Sequence, residues 1–169
     1  MTNFGYKIHQ NVYLSQRKCD TIEQMNETIL GRFNSFVCPE DPVFILGDLT
    51  LGDLELAKPY LEKLNGKKVI IKGNHDYWWS TAAKFYKFCE ENGFTDMHIL
   101  NNNCFEYGDW AICGTRGWFF ELDQKAHDAK VLNREIMRLE TSLKAAGEKQ
   151  KLVFLHYPPR YKGYECPEI

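Results

Sequence analysis

The sequence lacks the features that mark membrane-spanning, disulfide-rich and strongly nucleic-acid-binding proteins. No apolar run approaches the ~18 residues of a membrane span, and residues 1–6 show no basic stretch followed by an apolar one, as a signal peptide requires. The 6 cysteines form no Cys-x-x-Cys pair, so neither a structural zinc site nor a redox pair is indicated. A net charge of −2 disfavours an extended nucleic-acid surface. These absences predict a cytoplasmic protein with reduced thiols and no membrane contact.

The chain of 169 residues predicts one domain, spanning 1–169, with a substantial apolar core. Apolar residues at helical spacing predict helices over about 20–36, 53–64, 80–91 and 124–146. The apolar face of the first helix consists of Ile22, Met25, Ile29, Phe33 and Phe36. That of the second consists of Leu54, Ala57, Leu61 and Leu64. That of the last consists of Ala129, Leu132, Ile136, Leu139 and Leu143. Strands are predicted at 43–46, 68–71, 97–100, 104–107, 110–113 and 152–155, with Gly108-Asp109 as a hairpin turn. This alternation favours a layered α/β fold with strands buried on both faces.

Three of the predicted strands each end on a side chain that can bind a metal ion. Asp48 follows the first strand, Asn74 follows the second, and His156 follows the last. Open α/β sheets build their sites at the carboxyl ends of their strands. We therefore expect these three side chains to meet at one edge of the sheet.

The chemistry of these side chains suits a divalent hydrolytic metal. Asp48 can bridge two cations, Asn74 offers a carbonyl oxygen, and His156 offers a neutral imidazole nitrogen. His75 is a candidate to donate a proton or a hydrogen bond to the substrate, with Asp76 orienting its ring. Each feature alone has a simpler explanation as turn chemistry, and their conjunction carries the hypothesis.

Three longer strings carry a resemblance to a known family. They are Gly-Asn-His-Asp-Tyr-Trp-Trp at 73–79, Cys-Gly-Thr-Arg-Gly-Trp at 113–118 and Leu-His-Tyr-Pro-Pro at 155–159. On these strings the chain, from about 20 to 159, resembles a bacterial branch of the calcineurin-like metallophosphoesterases. The resemblance implies a four-layer αββα sandwich and hydrolysis of phosphoric esters by a metal-activated hydroxide. The implied substrate is a phosphorylated small molecule or a nucleotide.

The resemblance also implies roles for individual residues. It implies that Asp48 bridges two metal ions, that Asn74 and His156 bind the second ion, and that His75 assists the leaving oxygen. Mn, Fe and Zn ions all accept this ligand set. Arg116 would lie near the site, where a phosphate contact and a surface salt bridge are equally good interpretations. Trp78 and Trp79 would also lie near it, and packing is the simpler role for them.

Two motifs of the family are missing from the sequence. The first is Asp-x-His, where 1–3 reads Met-Thr-Asn, and the other is Gly-His-x-His, for which only 13 residues follow His156. These losses predict a fold truncated at both ends, binding of one metal ion or none, and low activity. They also predict uncovered sheet edges that favour self-association. Two alternatives stay open: an inactive scaffold or binding module of the same fold, and a non-functional gene fragment.

Overall fold

The computed structural model describes residues 19–50, 53–118 and 126–169. The helices in these ranges are α1 (Ile22–Asn34), α2 (Leu54–Leu61), α3 (Ala82–Glu91) and α4 (Ala126–Ala145). The strands are β1 (Pro42–Ile45), β2 (Lys67–Ile70), β3 (Met97–Ile99), β4 (Phe105–Tyr107), β5 (Trp110–Thr115), β6 (Gln150–Leu155), β7 (Arg160–Tyr161) and β8 (Tyr164–Glu165). All six predicted strands are confirmed within two residues at each end; β7 and β8 were not predicted.

Threonine side chains cap the starts of α1 and α3. Thr21 Oγ1 accepts a hydrogen bond from the Gln24 backbone N–H, and the Gln24 side chain accepts one from the Asp20 N–H. This reciprocal arrangement is a variant of the capping box. Thr81 caps α3 in the same way by accepting from the Lys84 N–H.

The strands form two three-stranded sheets and one small hairpin. The first sheet has the order β1-β2-β3 and is entirely parallel. The second has the order β4-β5-β6, with an antiparallel β4–β5 pair and a parallel β5–β6 pair. Tyr107 pairs with Trp110, so the predicted two-residue turn at 108–109 is confirmed. The hairpin of β7 and β8 follows the second sheet.

Four layers follow from which residues pack together. An apolar cluster between the sheets joins Val69 and Ile71, from the first sheet and its exit, to Ile112 of β5. A larger cluster packs α1, α2 and α3 on the outer face of the first sheet. Ala146, just after α4, packs with Ala111 and Cys113 on the outer face of the second. The fold is therefore an α/β sandwich of the αββα kind that the resemblance implied.

Several details of the predicted helices and strands are wrong. Phe36 is 87% exposed because α1 ends before it, at Asn34. The buried face of α4 is turned relative to the predicted stripe: Ala129 is exposed, whereas Glu135 and Ser142 are fully buried. Positions 124–125 of the predicted last helix lie outside the described residues. The second sheet is not buried on both faces throughout, since Leu152 and Val153 on its edge strand β6 are 40% and 44% exposed.

Candidate metal centre at the strand exits

The fold brings Asp48, Asn74 and His156 to one edge of the sandwich. Because β1 and β2 are parallel neighbours, the loops that follow them leave the first sheet side by side. β6 ends at Leu155 in the second sheet, and His156 comes directly after it. The Asn74 Oδ1 lies 2.7 Å from the His156 Nε2, which joins the two sheets at this edge.

The two loops of the first sheet touch so closely that only glycine fits at 47 and 73. A Cβ at Gly47 would lie 2.5 Å from the His156 Nδ1 and 2.7 Å from the Gly73 Cα. A Cβ at Gly73 would overlap the Asp48 backbone and carboxylate. Gly47 has φ +95° and Asp48 has φ +56°, a left-handed conformation that is uncommon for a residue with a side chain. The contact between the loops therefore depends on backbone shape.

The Asp76 carboxylate holds this backbone shape. Its Oδ2 accepts hydrogen bonds from the N–H groups of Asp48 (2.9 Å) and Gly73 (2.7 Å). Its Oδ1 accepts from the Leu49 N–H at 2.9 Å and the Trp78 Nε1–H at 3.2 Å. Asp76 is 1% exposed, and a buried carboxylate of this kind is stable only when such donors surround it. Asp76 therefore fastens the loop after β1 to the loop after β2.

The imidazole of His156 is oriented by a backbone carbonyl. Its Nδ1 lies 2.8 Å from the Leu46 carbonyl oxygen, which can only accept, so Nδ1 carries the proton. Histidines that bind metal ions use this kind of hydrogen bond to fix their ring and tautomer. Nε2 then faces the oxygen Oδ1 of Asn74 at 2.7 Å and the oxygen Oδ1 of Asp48 at 3.8 Å.

These three atoms form a set that fits a cation. The Nε2 atom of His156 also accepts a hydrogen bond from the Asn74 backbone N–H at 3.3 Å, and a divalent metal ion would compete with that N–H for the lone pair. One nitrogen and two oxygens match the preferences of Mn, Fe and Zn ions. In the described ranges, no three His, Cys, Asp or Glu residues cluster as a metal site, and the third member of this set is the amide of Asn74.

His75 makes no side-chain hydrogen bond to Asp48, Asn74 or His156. Its side chain is exposed, and its Nδ1 lies 3.2 Å from the Tyr77 hydroxyl. Its backbone N–H donates to the Asp48 Oδ1 at 3.0 Å, which ties the position of His75 to the Asp48 carboxylate. The geometry does not support the expectation that Asp76 orients the ring. The carboxylate of Asp76 is directed to the two loop backbones, and Tyr77 contacts the ring.

Arg116 directly follows β5 of the second sheet. The surface salt bridge considered for it does not describe its environment, because its side chain is only 15% exposed. The guanidinium lies over the Trp118 ring at 4.7 Å and 3.6 Å from the Glu135 carboxylate. Burial lowers the pKa of the Arg116 guanidinium from its ordinary value, and Glu135 opposes that shift. The Arg116 carbonyl accepts from the Tyr157 N–H at 2.9 Å.

The two tryptophans after the loop have the packing role that we considered simplest. The Trp78 and Trp79 rings lie 5.9 and 6.2 Å from Phe85 on α3, inside or against the core cluster under the first sheet. Trp78 adds its hydrogen bond to Asp76.

Tyr77 and Glu135 were missed in the sequence. Tyr77 stands within the 73–79 string, two residues after the histidine that it contacts, and that spacing could have drawn attention to it. Glu135 belongs to the set Leu132, Glu135, Leu139, Ser142 and Ala146, which repeats at helical spacing and is buried throughout. A search for apolar residues alone passes over that set.

The chain is similar to one protein family and to individual known proteins. The model of the calcineurin-like phosphoesterase family matches residues 16–168. An uncharacterized protein of Methanocaldococcus jannaschii is 33% identical over 112 residues, which are 63% of this chain and 61% of the relative. A crystal structure of an Aquifex aeolicus protein of unknown function covers 87% of this chain and 83% of its own, with a TM-score of 0.43 and 17% identity.

The chain thus spans less than two thirds of the length of the curated relative that it matches. The family model, in contrast, covers nearly all of the sequence, including every residue of the candidate metal centre. This chain belongs to the calcineurin-like phosphoesterase family.

Proposed function

We propose that the chain hydrolyses phosphoric esters with the help of a divalent metal ion held at the strand exits. The observation that carries this proposal is the meeting of Asp48 Oδ1, Asn74 Oδ1 and His156 Nε2, with the imidazole fixed by the Leu46 carbonyl. The Asn74 N–H lies 3.3 Å from His156 Nε2 and the His75 N–H lies 3.0 Å from Asp48 Oδ1, so backbone donors hold these groups in place, and a cation among them would add to the attraction. Membership of the family supports the same reaction.

Each residue has a distinct part in this proposal. Asp48, Asn74 and His156 hold the ion, which would supply positive charge to the phosphoryl oxygens and acidify a water molecule. His75, exposed beside this set, donates a proton or hydrogen bond to the leaving oxygen. Asp76 keeps the two loops in contact and takes no part in proton transfer, since its oxygens are directed to N–H groups.

The substrate class that follows is a phosphorylated small molecule or a nucleotide. Manganese as the ion, a cytoplasmic location, the single-domain organisation and self-association through sheet edges remain predictions. Within the described part of the chain, no helix is both long and apolar enough to cross a membrane.

Hydrolysis of bis-p-nitrophenyl phosphate and p-nitrophenyl phosphate, with and without Mn²⁺, tests the proposal. We expect turnover that requires Mn²⁺ and that falls by about 100-fold or more in His75→Ala, because a general acid contributes at least this much. Asp48→Asn removes the charged ligand and is expected to abolish the Mn²⁺ dependence. His98→Ala is the matched control, because His98 lies on β3 and packs against Phe105. Turnover without Mn²⁺, or unchanged by His75→Ala, would contradict the proposal.

A second candidate is a non-catalytic binding module of the same fold. It is favoured by the small ligand set, since the described ranges offer one amide, one carboxylate and one imidazole. In that case Mn²⁺ binds, but neither ester is hydrolysed at any Mn²⁺ concentration. The same assays, combined with a Mn²⁺ titration, separate the two candidates.

A further inference from the structure

A second polar pocket opens at the same end of the sandwich as the candidate metal centre. It lies among the exits of β2, β3 and β5, beneath the start of α3 and against α4. Its cavity volume is about 90 Å³. We call it the basic pocket, and its lining includes Lys72, Thr81, Thr115, Arg116, Glu135 and Arg138.

The basic pocket has an excess of positive charge. Its lining contributes the cations of Lys72, Arg116 and Arg138 against the one carboxylate of Glu135, which leaves a net charge of +2.

Glu135 does not satisfy all of these cations. It is fully buried and accepts hydrogen bonds from Thr115 Oγ1 at 2.5 Å and from Arg138 Nη1 at 2.6 Å. The Arg116 Nη2 lies 3.6 Å from the same carboxylate, which is beyond hydrogen-bond distance. The buried Arg116 Nε has no acceptor in the described part of the chain. The Arg116 Nε–H is therefore a buried donor that is open to another acceptor.

The remaining polar groups of the basic pocket suit the same kind of acceptor. Lys72 Nζ donates to the Trp79 carbonyl at 2.9 Å and, as an ammonium group, has further protons to donate. Thr81 caps α3, a helix of 10 residues whose N-terminal end adds partial positive charge at the rim. Guanidinium groups, an ammonium group and a helix start together form the surroundings in which proteins hold phosphate-like anions.

We propose that the basic pocket is a binding site for a tetrahedral oxyanion of the phosphate class, separate from the candidate metal centre. A phosphate dianion would neutralise the net charge of the lining and accept from the free donors of Arg116 and Lys72. The two sites are separate because Asp48, Asn74 and His156 do not line the basic pocket. They are neighbours because Lys72 directly precedes Gly73 in the loop that carries Asn74.

Calorimetric titration of inorganic phosphate into protein stripped of metal by a chelator tests this proposal at low ionic strength. We expect saturable binding of about one phosphate per chain, weakened roughly tenfold or more by Lys72→Gln and by Arg116→Gln, since each removes a charge-assisted contact. Lys72→Arg, which keeps the charge, should stay within about threefold of the unchanged protein. Thermal unfolding of each variant shows whether it is folded.

Two controls make the outcome decisive. Lys144→Gln removes the same charge from an 80% exposed position on α4 and should leave phosphate affinity unchanged. His156→Ala removes a proposed metal ligand and should also leave it unchanged. The proposal is overturned if binding is not saturable, if Lys144→Gln weakens it as much as Lys72→Gln, or if His156→Ala abolishes it. None of these results depends on whether the chain hydrolyses esters.

A parallel titration with glycerol 3-phosphate identifies the source of the anion. Tighter binding of the ester than of inorganic phosphate indicates that the phosphoryl group of a larger molecule occupies the basic pocket. Tighter binding of inorganic phosphate indicates the free ion. In either case the proposal requires that Lys72→Gln weakens the binding of the tighter ligand.

Discussion

Asp76 and Glu135 are both buried carboxylates, and their surroundings differ. Asp76 is 1% exposed and accepts hydrogen bonds from backbone N–H groups and one indole N–H. Glu135 is 0% exposed and accepts from a hydroxyl and a guanidinium group, with a second guanidinium 3.6 Å away. Asp76 therefore holds two loops in shape, whereas Glu135 offsets part of the positive charge of the basic pocket.

The difference shows two ways of stabilising a buried negative charge. Neutral donors around Asp76 satisfy its lone pairs and fix the backbone on which Asp48 and Asn74 stand. Three cations line the basic pocket together with the single carboxylate of Glu135, so a local excess of positive charge remains. Changes at Asp76 should disturb the metal centre, and changes at Glu135 should disturb the basic pocket.

Replacing Asp76 should have the largest effect on stability. In Asp76→Asn an amide N–H₂ faces backbone donors, so at least two buried N–H groups lose their acceptor. We expect a loss of about 3–4 kcal/mol in the free energy of unfolding and loss of Mn²⁺ binding. Urea unfolding measures the first quantity.

Asp53→Asn is the matched control for this change. Asp53 is exposed at the start of α2 and makes no side-chain capping hydrogen bond, so the free energy of unfolding should change by less than about 0.5 kcal/mol. Equal stability of the two variants would show that Asp76 does not fasten the loops.

Replacing Glu135 should destabilise the fold less than replacing Asp76 does. It should also strengthen the binding of an anion in the basic pocket. Glu135→Gln keeps an acceptor but removes the charge that faces Arg116 and Arg138, and we expect a loss of about 2–3 kcal/mol. Because the net charge of the pocket rises, phosphate affinity should increase. Glu140→Gln, at an exposed position of the same helix, should change neither quantity. Weaker phosphate binding in Glu135→Gln would contradict the role that we assign to this carboxylate.

Removing one hydrogen bond to Glu135 should have the smallest of these effects. Thr115→Val deletes the hydroxyl that donates to Glu135 Oε2 and leaves that oxygen with one partner fewer. We expect a loss of about 1.5 kcal/mol in the free energy of unfolding, measured by urea titration. Thr115→Ser keeps the hydroxyl and should retain most of the lost stability. A loss as large in Thr115→Ser as in Thr115→Val would assign the effect to packing.

The sequence predicted the strand-exit site better than the basic pocket, and the reason is local. Asn74, His75 and Asp76 are consecutive, and Asp48 and His156 each follow an apolar strand, so periodicity and topology bring them together. The tautomer of His156 and the function of Asp76 could not be predicted from the sequence, because both depend on contacts with residues that are distant in the chain.

The basic pocket could not be predicted because its charges come from separate elements. Lys72, Arg116 and Arg138 each look like ordinary surface cations in the sequence, and only the packing of α4 on the second sheet brings them together. Glu135 was hidden by its position among apolar residues of α4. A buried acidic residue at helical spacing becomes recognisable only once its partners are known.

A calorimetric titration with Mn²⁺ tests the central claim most directly, because it measures metal binding by the proposed ligands without a substrate. The unchanged protein should bind about one Mn²⁺ per chain, and Asp48→Asn and His156→Ala should each weaken that binding by roughly tenfold or more. His98→Ala should bind Mn²⁺ as the unchanged protein does. Equal Mn²⁺ affinity in all four proteins would contradict the assignment of Asp48, Asn74 and His156 as a metal centre.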